Sequence, residues 1–321
     1  MEDRLFQPAL VTVAITTHNR SPLLQRALQG VLAQTYANLD VLVSDDASTD
    51  DTPELMARVD DPRVRYLRIE KPIGIARNYQ NALDHARGEL FMILNDDDEL
   101  EPEAIEELAD CFWNPPQGYR PGQIVLSWCP CKIQDEARHV RYLSDGGPVV
   151  ESGIDLVTEL FDGKRGPHFC GILVRTDKAC EVGYSPEHGG IPDLGNWMRV
   201  AVRGGFACCV PNAVARYTAH HKSCTGTSPP KTWQKLGDII VQDILEDLRK
   251  LGDKQGMRRI RRGRRNFITG LLAATLIQSI GTPGWRSRAL LEFLRVPHYF
   301  ITPMTFRRLF FESGKLSKKA R

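Results

Sequence analysis

The chain has 321 residues, 42% of them apolar and 26% charged, which excludes a disordered, collagen-like or small disulfide-stapled protein. Its formal net charge of +2 hides a division: residues 1–230 carry 22 Lys and Arg against 33 Asp and Glu, while residues 231–321 carry 20 against 7. An acidic body is joined to a basic tail, and such a tail is suited to meet something anionic.

In chain order, the start Met1-Glu2-Asp3-Arg4 lacks the apolar core of a signal peptide. Leu10 to Ile15 reads as a buried strand that stops at the polar Thr16-Thr17-His18-Asn19-Arg20. A helix is expected next, with Ser21 as N-cap, Pro22 in the first helical position and Leu24, Leu28, Val31 and Leu32 on one face. Leu39 to Val43 is a second strand ending in Ser44-Asp45-Asp46, and Thr52-Pro53 opens another helix. Arg63 to Ile69 reads as a third strand, Gly74 to Ala86 as a helix, and Leu90 to Leu94 as a fourth strand ending in Asn95-Asp96-Asp97-Asp98. Residues 123–175 are irregular and strand-rich, Ile191 to Arg203 is helical, and amphipathic helices follow from Trp233 and from Met257. The stretch Phe267 to Ile280 has 14 residues, short of the roughly 20 that a membrane span needs. The eight cysteines contain no CxxC pair. Reduced thiols in a cytoplasmic protein are therefore expected.

Short apolar strands alternating with helices imply an α/β fold with a mostly parallel sheet covered on both faces. Ligands then sit beyond the carboxyl ends of the strands, where all three polar clusters fall. Asp96, Asp97 and Asp98 repel one another unless a cation intervenes. Their hard oxygens suit Mg²⁺ or Mn²⁺ bridging to phosphates; the rival reading is a solvated acidic helix start before Pro102. Asp46 suits a nucleotide's ribose or the cap of the next helix. Asp193 on local grounds reads first as a helix cap, and His220-His221 lies in a polar loop of the kind usually exposed.

Together these residues resemble the family-2 glycosyltransferases, inverting enzymes with the GT-A nucleotide-diphospho-sugar transferase fold. The likeness runs through Val11 to Arg20, Val31 to Tyr36, Val43 to Asp50, Gly74-Ile75-Ala76-Arg77-Asn78, Leu94 to Asp98, and Gly183, Asp193, Trp197 and Arg199. It spans roughly residues 8–225 and implies a catalytic domain at 1–228 with a basic helical extension at 229–321. It implies nucleotide contacts from Thr16, Asn19, Arg20, Asp46, Arg77, Asn78 and Asp96. Asp97, Asp98 and His220 are then the metal ligands for Mg²⁺ or Mn²⁺, and Asp193 is the general base. Trp128, His168, Phe169, Tyr184 and Trp197 are placed near the acceptor. Two positions depart from the family pattern: Asn95 replaces the first Asp of its DxD motif, and Pro192 replaces the Glu of its ED motif.

The implied reaction moves a sugar from a nucleotide-diphosphate donor to a hydroxyl of a glycan or lipid-linked acceptor, in cell-surface polysaccharide or glycolipid synthesis. A nucleotidyltransferase would need a glycine-rich phosphate loop after the first strand, and a haloacid-dehalogenase-type phosphatase an early Asp-x-Asp-x-Thr; the chain has neither. A catalytically inactive nucleotide-sugar-binding or scaffolding protein on the same fold is the alternative. Arg249 to Arg265 holds nine basic residues and one acidic, without the interleaved aromatics of a nucleic-acid binder. No nucleic-acid partner is expected. Residues 249–321 either lie on an anionic membrane surface, making the enzyme peripheral on the inner face of the cell membrane, or pack on the catalytic domain.

Overall fold

The computed structural model describes residues 9–134, 138–144, 146–164, 169–212, 215–218 and 230–278. The first half is the alternation anticipated from the apolar runs: β1 (Val11–Thr17), α1 (Ser21–Leu32), β2 (Leu39–Asp45), α2 (Thr52–Met56), β3 (Val64–Arg68), α3 (Ile75–Asp84) and β4 (Leu90–Asn95). Strands β1, β2, β3 and β4 pair in parallel, with Thr16 level with Ser44 on one side and Asn95 on the other. Each strand feeds both faces. Val11, Val13 and Ile15 join the core beneath α1 and α4, whereas Ala14 and Leu42 join the core on the opposite face. That two-sided burial explains why the runs are continuous rather than alternating.

The chain continues through β5 (Glu99–Leu100), α4 (Ala104–Trp113), β6 (Ile124–Trp128), β7 (Cys131–Gln134), β8 (Val140–Leu143), β9 (Val150–Ser152) and α5 (Gly153–Phe161). Then come β10 (Ile172–Arg175), α6 (Thr176–Val182), α7 (Pro192–Val202), β11 (Phe206–Cys209) and β12 (Ala215–Thr218). The eight-stranded sheet runs β3-β2-β1-β4-β10-β6-β11-β9. It is mostly parallel, with β10 antiparallel to both neighbours and β9 antiparallel to β11. A second sheet, β5-β12-β7-β8, begins directly after the acidic run of β4.

One local expectation is corrected. Ser21 is the first residue of α1, and Arg20 holds the N-cap position without a side-chain cap. The cap role passes to Asp50, whose carboxylate accepts the Ser21 N–H at 2.8 Å, satisfying a donor that the helix leaves unpaired.

The basic tail begins as a helical hairpin, α8 (Pro230–Lys250) and α9 (Lys254–Gln278). Trp233, Ile240, Val241, Ile244, Leu248, Ile260, Phe267 and Ile268 are buried in the same apolar cluster as Leu126, Trp128 and Trp197. At roughly 1.5–3 kcal/mol per buried side chain, these contacts fasten the hairpin to the body. Phe267 stacks on Phe161 at 4.4 Å between centroids. Gly263 permits the approach of α9 to α5, because a Cβ there would lie 2.6 Å from the Phe161 Cβ. Among the described residues, no helix is long and apolar enough to cross a membrane.

Candidate active site

The carboxyl edge of β1, β2 and β4 gathers the polar clusters, as expected for a parallel sheet. Thr16 is buried at the end of β1, and the next residue, Thr17, donates to Asp96 Oδ2 at 2.7 Å. Arg20 Nη1 reaches Asp96 Oδ1 and Asp97 Oδ2, each at 3.1 Å. This guanidinium is the cation that lets two adjacent carboxylates coexist at only 3% and 9% exposure. Burial first, then the charge of Asp97, pushes the Asp96 carboxyl up to about 6, against the pull of Arg20 and Thr17. Asp98 is held well above the usual carboxylate range, again by burial and then Asp97. Its Oδ1 accepts the Thr218 N–H at 3.2 Å, while its buried Oδ2 has no hydrogen-bond partner.

Two loops frame this edge. Asn19 adopts a left-handed φ of 56° and Ala47 one of 58°, conformations that cost about 1–2 kcal/mol for residues with a Cβ and that concentrate at functional sites. The Asn19 N–H donates to Ser48 Oγ at 2.8 Å, and its Oδ1 accepts the Thr49 N–H at 2.7 Å, tying the loops together. Asp46 accepts from the Ile73 N–H at 2.7 Å and the Gly74 N–H at 2.9 Å. Gly74 serves this contact in a φ of 84°, which glycine enters without penalty. Arg77 is exposed on the first turn of α3. Asn78 is 3% exposed: its amide accepts from Ser44 Oγ at 2.6 Å and donates to the Ser44 carbonyl at 3.1 Å. That geometry spends the Asn78 side chain on joining α3 to β2.

Asp193 opens the second centre, at the start of α7. It lines a small cavity with Phe91, Ile93, Tyr184, Asn196 and Trp197. Burial pushes its carboxyl up to about 6, opposed by N–H groups of the first turn and by nearby His188. Tyr79 links the two centres. Its hydroxyl donates to Asn95 Oδ1, and its pKa is raised by burial and then by the charges of Asp193, Asp97 and Asp98. Tyr184 packs edge-on against Tyr79 at 5.5 Å. Thr17 and Tyr79 are the site residues that motif reasoning passed over; the only signal was their position, one at a strand end and the other on the inward face of α3.

Trp128, expected near the acceptor, is fully buried in the core on β6, a strand covered on both faces. Trp197 is 3% exposed and meets the Asp193 cavity from α7. The expected ligand His220 and the acceptor residues His168 and, for its side chain, Phe169 lie outside the described residues.

Among the described residues, no three His, Cys, Asp or Glu side chains converge as a ready metal cage. The donor set still fits a small hard cation, which takes one or two carboxylates and completes its shell with phosphate oxygens and water. Asp97 at the edge and the unpartnered Oδ2 of Asp98 are the oxygens suited to it.

A mostly parallel sheet with helices on both faces is also the fold of two solved structures. Staphylococcus aureus TarS 1–349 in complex with UDP-GlcNAc shares the fold, with a TM-score of 0.60 at 16% identity over 88% of this chain and 77% of that one. The mannosyltransferase PcManGT of Pyrobaculum calidifontis, in complex with GDP-Man and Mn²⁺, aligns with a TM-score of 0.56 at 18% identity over 98% of this chain and 87% of that one. The model for glycosyl transferase family 2 matches residues 12–119. A Campylobacter jejuni relative, GalNAc(5)-diNAcBac-PP-undecaprenol beta-1,3-glucosyltransferase, is 38% identical over 101 residues, which is 30% of this chain and 33% of that enzyme. The chain therefore spans a third of that relative's length.

Proposed function

We propose that the chain is an inverting glycosyltransferase that moves a sugar from a nucleotide-diphosphate donor to an acceptor hydroxyl in polysaccharide or glycolipid synthesis. The observation that carries this reading is the placement of Asp193 at the start of α7, where it lines a cavity with Phe91, Ile93, Tyr184 and Trp197. Tyr79 lies between it and the acidic end of β4, and burial raises the Asp193 carboxyl to about 6. A carboxylate with that pKa is ionised at neutral pH yet a better proton acceptor than an ordinary aspartate. Asp193 takes the proton of the attacking hydroxyl, and one displacement at the anomeric carbon inverts its configuration. Asp97, Asp98 and His220 are the ligands assigned to Mg²⁺ or Mn²⁺, which when bound offsets charge on the departing diphosphate. Thr16, Asn19, Arg20, Asp46, Arg77 and Asp96 lie at or beside the edge assigned to the nucleotide. Asn78 is retained there as the brace that positions α3. The donors of the structural neighbours, UDP-GlcNAc and GDP-Man, are the first to try.

Donor hydrolysis and transfer, assayed with a panel of nucleotide sugars and Mn²⁺, test the reading. Asp193→Asn is expected to bind donor normally and to lose about 10³-fold in transfer, the scale of general-base catalysis. Retained transfer sinks the base assignment. Nucleotide binding by the unmutated chain without turnover of any donor points instead to the inactive scaffold.

The membrane expectation takes an electrostatic form. On α9 the apolar face is buried, while Lys254, Arg258, Arg261, Arg262 and Arg265 are exposed at helical spacing. Such a face attracts anionic lipid by about 1 kcal/mol per basic residue, without insertion. Cosedimentation with anionic vesicles at low salt is the expected result, and its absence removes the idea.

A further inference from the structure

His188 belongs to neither carboxylate centre, yet it is 1% exposed. It ends the short turn Pro186–His188 that precedes α7. Its Nε2 lies 2.8 Å from Asp243 Oδ2 on α8, and its Nδ1 is buried with no hydrogen-bond partner. The ring sits in a notch on α7, where a Cβ at Gly195 would lie 2.1 Å from Nδ1. The His188 carbonyl accepts the Ile191 N–H at 3.1 Å, and Ile191 is the N-cap of α7. Ring and backbone of one residue therefore grip the first turn of α7, which carries Asp193. From the other side α8 closes on the turn through Leu236, whose Cδ2 is 3.0 Å from where a Gly189 Cβ would stand.

Adhesion alone does not account for this arrangement. An apolar side chain would fill the same space without stranding a ring nitrogen, and a buried polar atom without a partner costs stability. Glycine is a poor helix former, but at position 195 it leaves room for the ring in the interior of α7. The hairpin is already fastened by its apolar contacts and by Asp247, which holds Arg199 and Arg203. What the imidazole adds is direction. A hydrogen bond from one ring nitrogen to a carboxylate sets the tautomer and orientation of the whole ring, so Asp243 fixes the edge that is pressed on Gly195. A general base needs that kind of support, because small misplacements cost rate.

We propose that His188 is the positioning residue of the general base: hydrogen-bonded to Asp243 and seated against Gly195, it fixes the first turn of α7 and with it the direction of the Asp193 carboxylate. This rests on the glycosyltransferase reading for the word base, but the clamp on α7 is measured without turnover. The test compares His188→Asn, whose amide is too short to reach Asp243, with His188→Gln, whose Nε2 takes the place of the ring Nε2. In the full chain His188→Asn is expected to speed amide hydrogen exchange at residues 195–198 of α7 about fivefold, the scale of one hydrogen bond. Exchange in β1 is expected to stay as it was. The same variant is expected to lower kcat for transfer about tenfold at unchanged donor KM, as a misplaced base does. His188→Gln is expected to restore both. Should His188→Asn fail to fold, Asp243→Ala removes the same bond from a side chain that is 30% exposed, and its exchange and kcat decide. Unchanged exchange overturns the proposal. So does faster exchange with kcat intact, since His188 is then a fastener only. Absence of turnover in the unmutated chain fails the glycosyltransferase reading, and exchange then decides the clamp by itself.

Discussion

Burial comes first in raising the carboxyls of two centres in this molecule, but the centres differ in what lies beside them. At the end of β4 the acids crowd one another, and Arg20 stands between Asp96 and Asp97. At the start of α7, Asp193 is raised by burial, with no cation hydrogen-bonded to it. The first centre has a guanidinium lodged between its acids, whereas burial of Asp193 is offset only in part, by first-turn N–H groups and by His188. Under the proposed function the first centre suits a diphosphate–metal site and the second a general base, and each can be strained separately.

The largest effect is expected from Asp193→Asn, which keeps shape and removes basicity, in the transfer assay already described. Next comes the support behind α7. Asp247 on α8 is 3% exposed and accepts Arg199 Nε at 2.7 Å and Arg203 Nη2 at 2.9 Å. His188 Nε2 lies 2.8 Å from Asp243 Oδ2 on the same helix. The tail thus braces the helix that presents Asp193, and among the described residues no comparable ion pair joins it to the β4 edge. Asp247→Ala leaves two guanidinium groups without their shared partner and is expected to cost about 3 kcal/mol, seen as a lowered denaturation midpoint. If the midpoint is unchanged, the brace has no energetic content.

The pH dependence separates the centres further. Asp96 and Asp193 both rise from 3.8 to about 6 on folding. A carboxyl raised in the folded state contributes stability that is complete below about 3.8 and lost as pH climbs through about 6. The metal-free chain is therefore expected to melt higher at pH 5 than at pH 7.5, and added Mn²⁺ to stabilise it more at pH 7.5. Transfer runs the other way, rising through pH 6 as Asp193 ionises. A melting temperature that climbs between pH 5 and 7.5 without metal contradicts the assignment of these shifts.

The strands β1 to β4 and the acidic edge were legible because a fully buried parallel strand writes a continuous apolar run, and its end is where the polarity changes. The tail was only half legible. The period of Ile240, Ile244, Leu248, Ile260 and Phe267 gives an apolar face but not its partner, so membrane and protein were equal prospects until packing placed that face on α5 and α7. Asn78 shows the opposite limit: a matching motif position whose amide the fold uses for Ser44. Arg20 between Asp96 and Asp97, Tyr79 under Asn95 and His188 against Asp243 depend on contacts across 16 to 77 residues of sequence, beyond the reach of any local pattern.

The smallest expected effect tests the β4 centre from within. Asp98 is buried with Oδ2 unpartnered and its pKa held well above the usual range, so its charged form is the costly one. Asp98→Asn keeps the volume and the oxygen that accepts the Thr218 N–H, and removes the titration. At pH 5 the variant is expected to melt close to the unmutated chain, because both then carry a neutral side chain at this position. At pH 7.5 without metal it is expected to lose less stability than the unmutated chain does, narrowing the gap between the two pH values. Stabilisation by Mn²⁺ is expected to shrink in parallel, because a ligand oxygen has been lost. A variant with the full pH gap intact would show that crowding at this edge resides in Asp96 and Asp97 alone, and that Asp98 is a structural acceptor for β12 rather than part of the charged centre.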